Sequence, residues 1–160
     1  MFINQGIEHL YEMKLAYSRS CELLSRMKDQ ILISTYQQRI TGSVYLAILR
    51  ATKEGLFEFV LEMVKADPYL VWSHDNKSTC IFSVAVQYRQ AKIFSLVYGH
   101  DTKHVVATAK DFFYGNNLLH MAGMSAASTS LNDIPGAALQ MQRELQWFKV
   151  ISLTFNFSVF

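Results

Sequence analysis

The stretch that decides the fold of this chain lies in its last third and reads Gly115-Asn116-Asn117-Leu118-Leu119-His120-Met121-Ala122. Glycine at position 115 tolerates a backbone conformation that other residues resist. We expect His120 to bond to the backbone of the adjacent turn. The small side chain of Ala122 lets a neighbouring helix approach closely. The stretch therefore predicts a tight turn that leads into a short, closely packed helix.

Short apolar segments with a central alanine recur along the chain at a nearly constant spacing. Ala51, Ala85 and Ala122 are separated by 34 and 37 residues. The ankyrin repeat has a period of about 33 residues and the signature Thr-Pro-Leu-His-x-Ala, which residues 117–122 match at the Leu, His and Ala positions. Because one helix pair cannot bury its apolar face alone, about three pairs must stack. The spacing therefore favours an array of helix pairs.

The first copy also contains the glycine that joins the two helices of an ankyrin repeat, at Gly55, where we again expect a backbone conformation that other residues resist. The middle copy is the most degenerate, because Ser83 and Arg89 stand at its histidine and glycine positions. An irregular α-helical domain with accidental alanine spacing remains the alternative. The residues that carry the repeat signature are Ala51, Gly55, Ala85, Gly115, Leu119, His120 and Ala122.

Hydrophobic periodicity places helices on both sides of these repeats. An apolar stripe at spacings of three, four and seven predicts a long helix from about Gln5 to Ser34. The second helix of the first pair should end at Ala66-Asp67-Pro68, because the residue before a proline leaves the helical region. We therefore predict an all-α fold, an ankyrin-like solenoid with a leading N-terminal helix and a long C-terminal helix at 137–149.

Composition and charge exclude several classes of protein. Apolar residues make up 51% of the 160 residues and charged residues 18%, which is unlike a disordered chain. The net charge of +2 is spread evenly, so the basic footprint of a nucleic-acid-binding protein is absent. The sequence has neither a signal peptide nor a stretch of about 18 apolar residues that could span a membrane. We expect a cytoplasmic chain in which Cys21 and Cys80 are both buried thiols.

No motif in the sequence points to catalysis. Nucleotide-binding loops, metalloprotease helices and nucleophile elbows are missing, and His120 has no identifiable nucleophile beside it. Glu54, Glu58 and Glu62 are spaced four residues apart and are interpreted as a solvated helix face. We predict that the chain is not an enzyme and that it holds no cofactor and no metal.

Four longer stretches resemble one family. The run at 136–149 reads Gly136-Ala137-Ala138-Leu139-Gln140-Met141-Gln142-Arg143-Glu144-Leu145-Gln146-Trp147-Phe148-Lys149. It resembles a signature of the plant ankyrin-repeat proteins that carry a C-terminal PGG membrane domain, the relatives of the accelerated-cell-death and increased-tolerance-to-salt proteins. The segments 78–94 and 115–123 resemble the last two repeats of this family, and 6–31 resembles its linker helix.

This resemblance implies a protein–protein interaction module in plant stress or defence signalling, with unknown protein partners. The full-length family is membrane-associated, and the plasma membrane is its expected location. The predicted divisions are a linker helix at 1–42, degenerate repeats at 43–149 (43–76, 77–114 and 115–149), and an apolar tail at 150–160.

The tail is where the chain departs from the family. It has no charge and is rich in β-branched and aromatic residues. We expect it either to fold back onto the 137–149 helix or to lie exposed and drive self-association. Because of this departure, the interaction module is also interpreted as a truncated isoform. The alternative interpretation is a non-functional fragment or a truncated splice product of a membrane-anchored ankyrin protein.

Ankyrin stacks bind proteins along a concave surface made by the inner helices and the loop tips. Exposed aromatic residues in the loops make good anchors for a partner. The alternative is that Trp72 and Phe112 fill the core between repeats. The candidate partner-binding residues are Tyr69, Trp72, His74 and Asn76 in the first loop and Phe112, Phe113 and Tyr114 in the second.

Overall fold

The structure of the protein, a computed structural model, describes residues 2–72, 74, 79–99, 103–110, 115–124 and 136–156. Within these ranges the chain forms nine α-helices and no strand, so the predicted all-α class is confirmed. The helices are α1 (Phe2–Ile33), α2 (Tyr36–Thr41), α3 (Val44–Lys53), α4 (Phe57–Ala66), α5 (Ile81–Gln87), α6 (Ala91–Phe94), α7 (Lys103–Thr108), α8 (Leu118–Gly123) and α9 (Ala137–Thr154). Two 3-10 helices cover Pro68–Trp72 and Ser95–Gly99.

Helix α1 is continuous, but only its C-terminal part is packed into the core. Ile31 is buried, and the Lys28 ammonium lies 3.3 Å from the Glu62 carboxylate of α4. Nearer the N-terminus, the side chains of Ile7 and Tyr17 are 59% and 74% exposed. At 1.5 Å per residue α1 is about 48 Å long and α4 about 15 Å. The predicted apolar stripe is therefore longer than the neighbour that covers it.

The two cysteines differ in their surroundings. Cys80 is buried as predicted, whereas Cys21 is exposed, so the prediction for Cys21 was wrong. The neighbouring Cys21 side chain raises the pKa of the Tyr17 phenol, and the negative charge of Glu58 adds a smaller contribution. Cys21 lies on the apolar stripe of α1, but in the part that no neighbour buries.

Three short helices form an inner row. Helix α5 packs against α3 on one side and α8 on the other. Each of the three also packs against the helix that follows it, α4, α6 or α9. Ala51, Ala85 and Ala122 are all buried in this row.

The turns after α3 and α5 have the same backbone geometry. Gly55 has a φ of +75° and Arg89 a φ of +58°, both in the left-handed region. In each turn the next residue's N–H donates to the carbonyl of the buried alanine five residues back, Leu56 to Ala51 at 2.9 Å and Gln90 to Ala85 at 2.8 Å. This is the hydrogen bond of a Schellman C-cap.

Arg89 occupies a conformation that is uncommon for a non-glycine residue, and its side chain is held by several contacts. Its guanidinium donates to both carboxylate oxygens of Glu144 in α9. It also donates to the main-chain oxygens of Val86 at 2.8 Å and Met124 at 2.6 Å. Arg89 thus links the second helix pair to the third.

Helix α9 extends five residues past Lys149, into the segment predicted to be a separate tail. Ile151 is fully buried, and the Phe155 ring lies 6.1 Å from the Phe94 ring. The Trp147 ring lies 5.8 Å from the same Phe94 ring. Up to residue 156 the tail therefore continues the helix and packs on the second helix pair. Residues 157–160 lie outside the described part.

The three glutamates of the predicted solvated face do not lie on one helix, because Glu54 follows α3 whereas Glu58 and Glu62 lie on α4. Glu54 and Glu58 are exposed. Glu62 is half-buried and accepts hydrogen bonds from Lys65 at 2.7 Å and from Lys28 at 3.3 Å. Both bonds lower the pKa of Glu62, and the bond from Lys65 makes the larger contribution. The spacing on α4 alone does not reveal a partner that comes from another helix.

Candidate partner-binding site

A groove of about 590 Å³ opens where α2, α3 and the end of α4 meet. Three of the candidate partner-binding residues, Tyr69, Trp72 and His74, lie in it together. We call it the aromatic groove. Its lining residues are Tyr36, Arg39, Tyr45, Asp67, Tyr69, Trp72 and His74.

The Asp67-Pro68 dipeptide shapes one wall of the aromatic groove. Asp67 ends α4 in an extended conformation, with φ −142° and ψ 101°, as expected for a residue that precedes proline. Its carboxylate oxygen Oδ1 accepts a hydrogen bond from the N–H of Tyr69 at 3.0 Å. This local turn starts the 3-10 helix that carries Tyr69 and Trp72 to the groove.

The opposite wall is carried by α2. Thr35 caps this helix, since its N–H donates to Gln38 Oε1 at 2.8 Å and its hydroxyl accepts from the Gln38 N–H at 3.4 Å. The cap presents Tyr36 and Arg39 one turn apart on the short helix. Tyr36 is 70% exposed. The cap therefore fixes α2, a short helix with no long apolar stripe, beside the aromatic groove.

An ion pair between Arg39 and Asp67 joins the two walls. The two side chains are only 17% and 12% exposed. Arg39 also donates from Nη2 to the Ile31 main-chain oxygen at 2.8 Å and from Nε to Ser34 Oγ at 3.2 Å. The end of α1, helix α2 and the end of α4 are therefore held together by one guanidinium.

The aromatic side chains of the groove differ in exposure. Tyr69 is 80% exposed, whereas Trp72 is half-buried and its ring meets the buried Phe82 ring edge-on at 6.5 Å. Trp72 thus packs against the core and also lines the aromatic groove. The two alternatives for this residue, partner binding and filling of the core, are therefore not exclusive. Tyr45 is half-buried and His74 is exposed.

Sequence reasoning missed four of the lining residues, Tyr36, Arg39, Tyr45 and Asp67. The capping pattern at Thr35 and the Asp67-Pro68 dipeptide are local signals for the walls, but neither indicates that the walls meet. The other candidate residues, Asn76, Phe112, Phe113 and Tyr114, lie outside the described residues.

A second groove, of about 610 Å³, lies between α1, α2, α3 and α4. Its lining is mostly aliphatic, with Ile31, Ile48 and Met63 among the buried core residues. Arg26 and Gln30 are among its polar lining residues. It adjoins the aromatic groove through Arg39, which lines both.

The signature histidine has a structural partner within its own helix. Asn117 caps α8, because its Oδ1 accepts from the His120 N–H at 3.0 Å while its own N–H donates to His120 Nδ1 at 3.3 Å. His120 therefore bonds to backbone, but its partner is Asn117, the N-cap residue directly before α8. Gly115 precedes this cap with a φ of +65°, and Leu119 is half-buried.

Comparison of the chain with protein-family models, curated proteins and solved structures gives no match. Among the residues that the structure describes, no three His, Cys, Asp or Glu side chains are grouped to hold a metal ion. None of the helices in these ranges is long and apolar enough to cross a membrane.

Proposed function

We propose that this chain is a protein–protein interaction module built from three degenerate ankyrin-like helix pairs. The observation that carries the proposal is the pair of equivalent turns at Gly55 and Arg89, 34 residues apart, each closed by the same hydrogen bond. The row of inner helices α3, α5 and α8 supports it too, because stacking of neighbouring pairs is how such repeats bury their apolar faces.

The aromatic groove is the surface that we assign to the partner. Interface hot spots are enriched in tyrosine, tryptophan and arginine, and they cluster in pockets that exclude water. Tyr69 and Tyr36 are exposed on both sides of the groove, and Trp72 is fixed at its base by Phe82. We further propose a role in plant stress or defence signalling, for which the sequence resemblance is the support.

An affinity-capture experiment tests this function with three baits. The baits are the wild-type chain, the Tyr69→Ala variant and the Tyr11→Ala variant, since Tyr11 is an exposed tyrosine on α1 outside the groove. We expect the wild-type and Tyr11→Ala baits to capture a protein from a plant extract, and we expect the Tyr69→Ala bait not to capture it. Equal melting temperatures would exclude unfolding as the cause. Identical captures by all three baits would contradict the assignment of the groove.

A further inference from the structure

The aromatic groove offers the rings of three tyrosines and one tryptophan within one open cleft, Tyr36, Tyr45, Tyr69 and Trp72, together with the imidazole of His74. Two kinds of peptide chemistry suit a surface of this type. Proline-rich segments in the polyproline II conformation dock in aromatic-lined grooves. Methylated ammonium groups are held by aromatic cages through cation–π attraction. The charges that line the groove and the size of the groove distinguish these two kinds of guest.

The charges that line the groove oppose each other. Asp67 is the single carboxylate among the lining residues, and it is paired with Arg39 through one oxygen while the other accepts from the Tyr69 N–H. Both side chains are largely buried and paired, so their charges offset each other beside the groove. A cationic guest would find no unpaired carboxylate among the lining residues to balance its charge. An uncharged guest needs no such partner.

The size of the groove also favours an extended segment. Its volume of about 590 Å³ falls in the range of roughly 300–1,000 Å³ that holds drug-sized ligands. A single methylated ammonium group fills a small part of that space. A polyproline II segment has no internal hydrogen bonds, so its carbonyls accept bonds from side chains such as the phenol of Tyr36.

We propose that the aromatic groove binds a proline-rich peptide segment in the polyproline II conformation, supplied by a protein partner. This inference rests on the proposed interaction function and names the chemistry of the partner. The segment enters with its conformation already restricted, so little conformational entropy is lost on binding. Proline rings stack on the exposed faces of Tyr36 and Tyr69.

Fluorescence anisotropy of labelled deca-proline with the full chain tests the inference. We expect saturable binding by the wild-type chain and a loss of at least about tenfold in affinity, equivalent to about 1.4 kcal/mol, for Tyr36→Ala and Tyr69→Ala. Both tyrosines are highly exposed, so neither truncation should unfold the chain. Tyr11→Ala, an exposed tyrosine outside the groove, should bind as the wild type does.

A labelled trimethyllysine peptide and a Gly-Ser decamer are measured in parallel. Preference for the trimethyllysine peptide would overturn the proline assignment in favour of a cation, and equal binding of the Gly-Ser decamer would overturn it as non-specific. No binding of deca-proline would also overturn it. If a captured partner is still lost with Tyr69→Ala, the proposed function stands while this inference fails; if capture is also insensitive to Tyr69, both fail.

Discussion

Gly55 and Arg89 adopt the same left-handed backbone with different side chains. Arg89 is held there by Glu144 and by carbonyls of neighbouring helices, whereas Gly55 has no side chain to hold. A Cβ at Gly55 would lie 2.6 Å from Gln90 Oε1, whose amide nitrogen donates to the Lys53 carbonyl at 3.1 Å. The first turn therefore depends on the absence of a side chain, and the second depends on the presence of one.

We predict that Gly55→Ala lowers the free energy of unfolding by about 1–2 kcal/mol, the strain of an L-residue in the left-handed region. Displacing Gln90 would add to this cost. Urea denaturation measures the effect. Gly6→Ala is the matched control, because Gly6 lies in α1 with open space around it, and alanine is the better helix former there. A Gly55→Ala midpoint equal to that of wild type would contradict the strain at this turn.

Local chemistry at single positions was largely readable from the sequence. Gly55 and Gly115 were expected to adopt unusual backbone conformations, and Asp67 was expected to end α4, because each expectation depends on adjacent residues alone. The Arg39–Asp67 pair was not predictable, since it joins positions 28 residues apart on two different helices. A sequence has no local mark of such a pair, and most of the aromatic groove depends on it.

Helix α9 shows tertiary packing overriding local propensity. Its last turns contain β-branched and aromatic residues that favour strands. Trp147, Ile151 and Phe155 are nevertheless spaced four residues apart, so in a helix they lie on one face. That face meets Phe94 and the core. Burial of the face stabilises the helix beyond the point where the resemblance to a known family ends.

We predict that Ile151→Ala lowers the free energy of unfolding by about 2–5 kcal/mol, because the removed atoms leave a cavity in a fully buried site. Leu153→Ala, on the exposed face of the same helix, should change it by less than about 0.5 kcal/mol. Urea midpoints of the two variants measure the difference. Equal midpoints would mean that residues beyond Lys149 add nothing to the core.

The contact between α1 and α4 should depend on pH through Glu62. Hydrogen bonds from Lys65 and Lys28 lower its pKa, so the folded chain favours the carboxylate. The stability from this group is present above the pKa of the unfolded chain and is lost as the pH falls through the lower folded value. We predict that Glu62→Gln reduces the loss of stability between pH 7 and pH 3. Urea midpoints at the two pH values test this, with exposed Glu58→Gln as the control. An unchanged pH dependence in Glu62→Gln would contradict it.

Exposed apolar side chains lie on both terminal helices, α1 and α9. The sequence left two alternatives for the uncharged residues 150–160, either folding back onto the 137–149 helix or lying exposed and driving self-association. The structure buries Ile151 and partly buries Phe155 but leaves Val150 and Leu153 exposed. The first half of α1 exposes Ile7, Leu10 and Tyr17. Hydrophobic periodicity indicated that α1 has an apolar face. It did not indicate how much of that face α4 could cover, because the relative lengths and positions of packed helices are tertiary properties.

We predict that the purified chain self-associates through the N-terminal half of α1. Contiguous exposed apolar surface marks interaction or aggregation sites, and a helical segment with little tertiary packing gains stability from a partner. Light scattering during size-exclusion chromatography, over a range of loading concentrations, measures the average mass. We expect the mass of the wild-type chain to rise with concentration and that of the Ile7→Lys/Leu10→Lys variant to stay at one chain. The tail variant Phe157→Ser/Phe160→Ser is the control and should behave as the wild type does. If the tail variant alone became monomeric, the adhesive surface would be the C-terminal segment and not α1, and a wild-type chain that stayed monomeric at every concentration would exclude both.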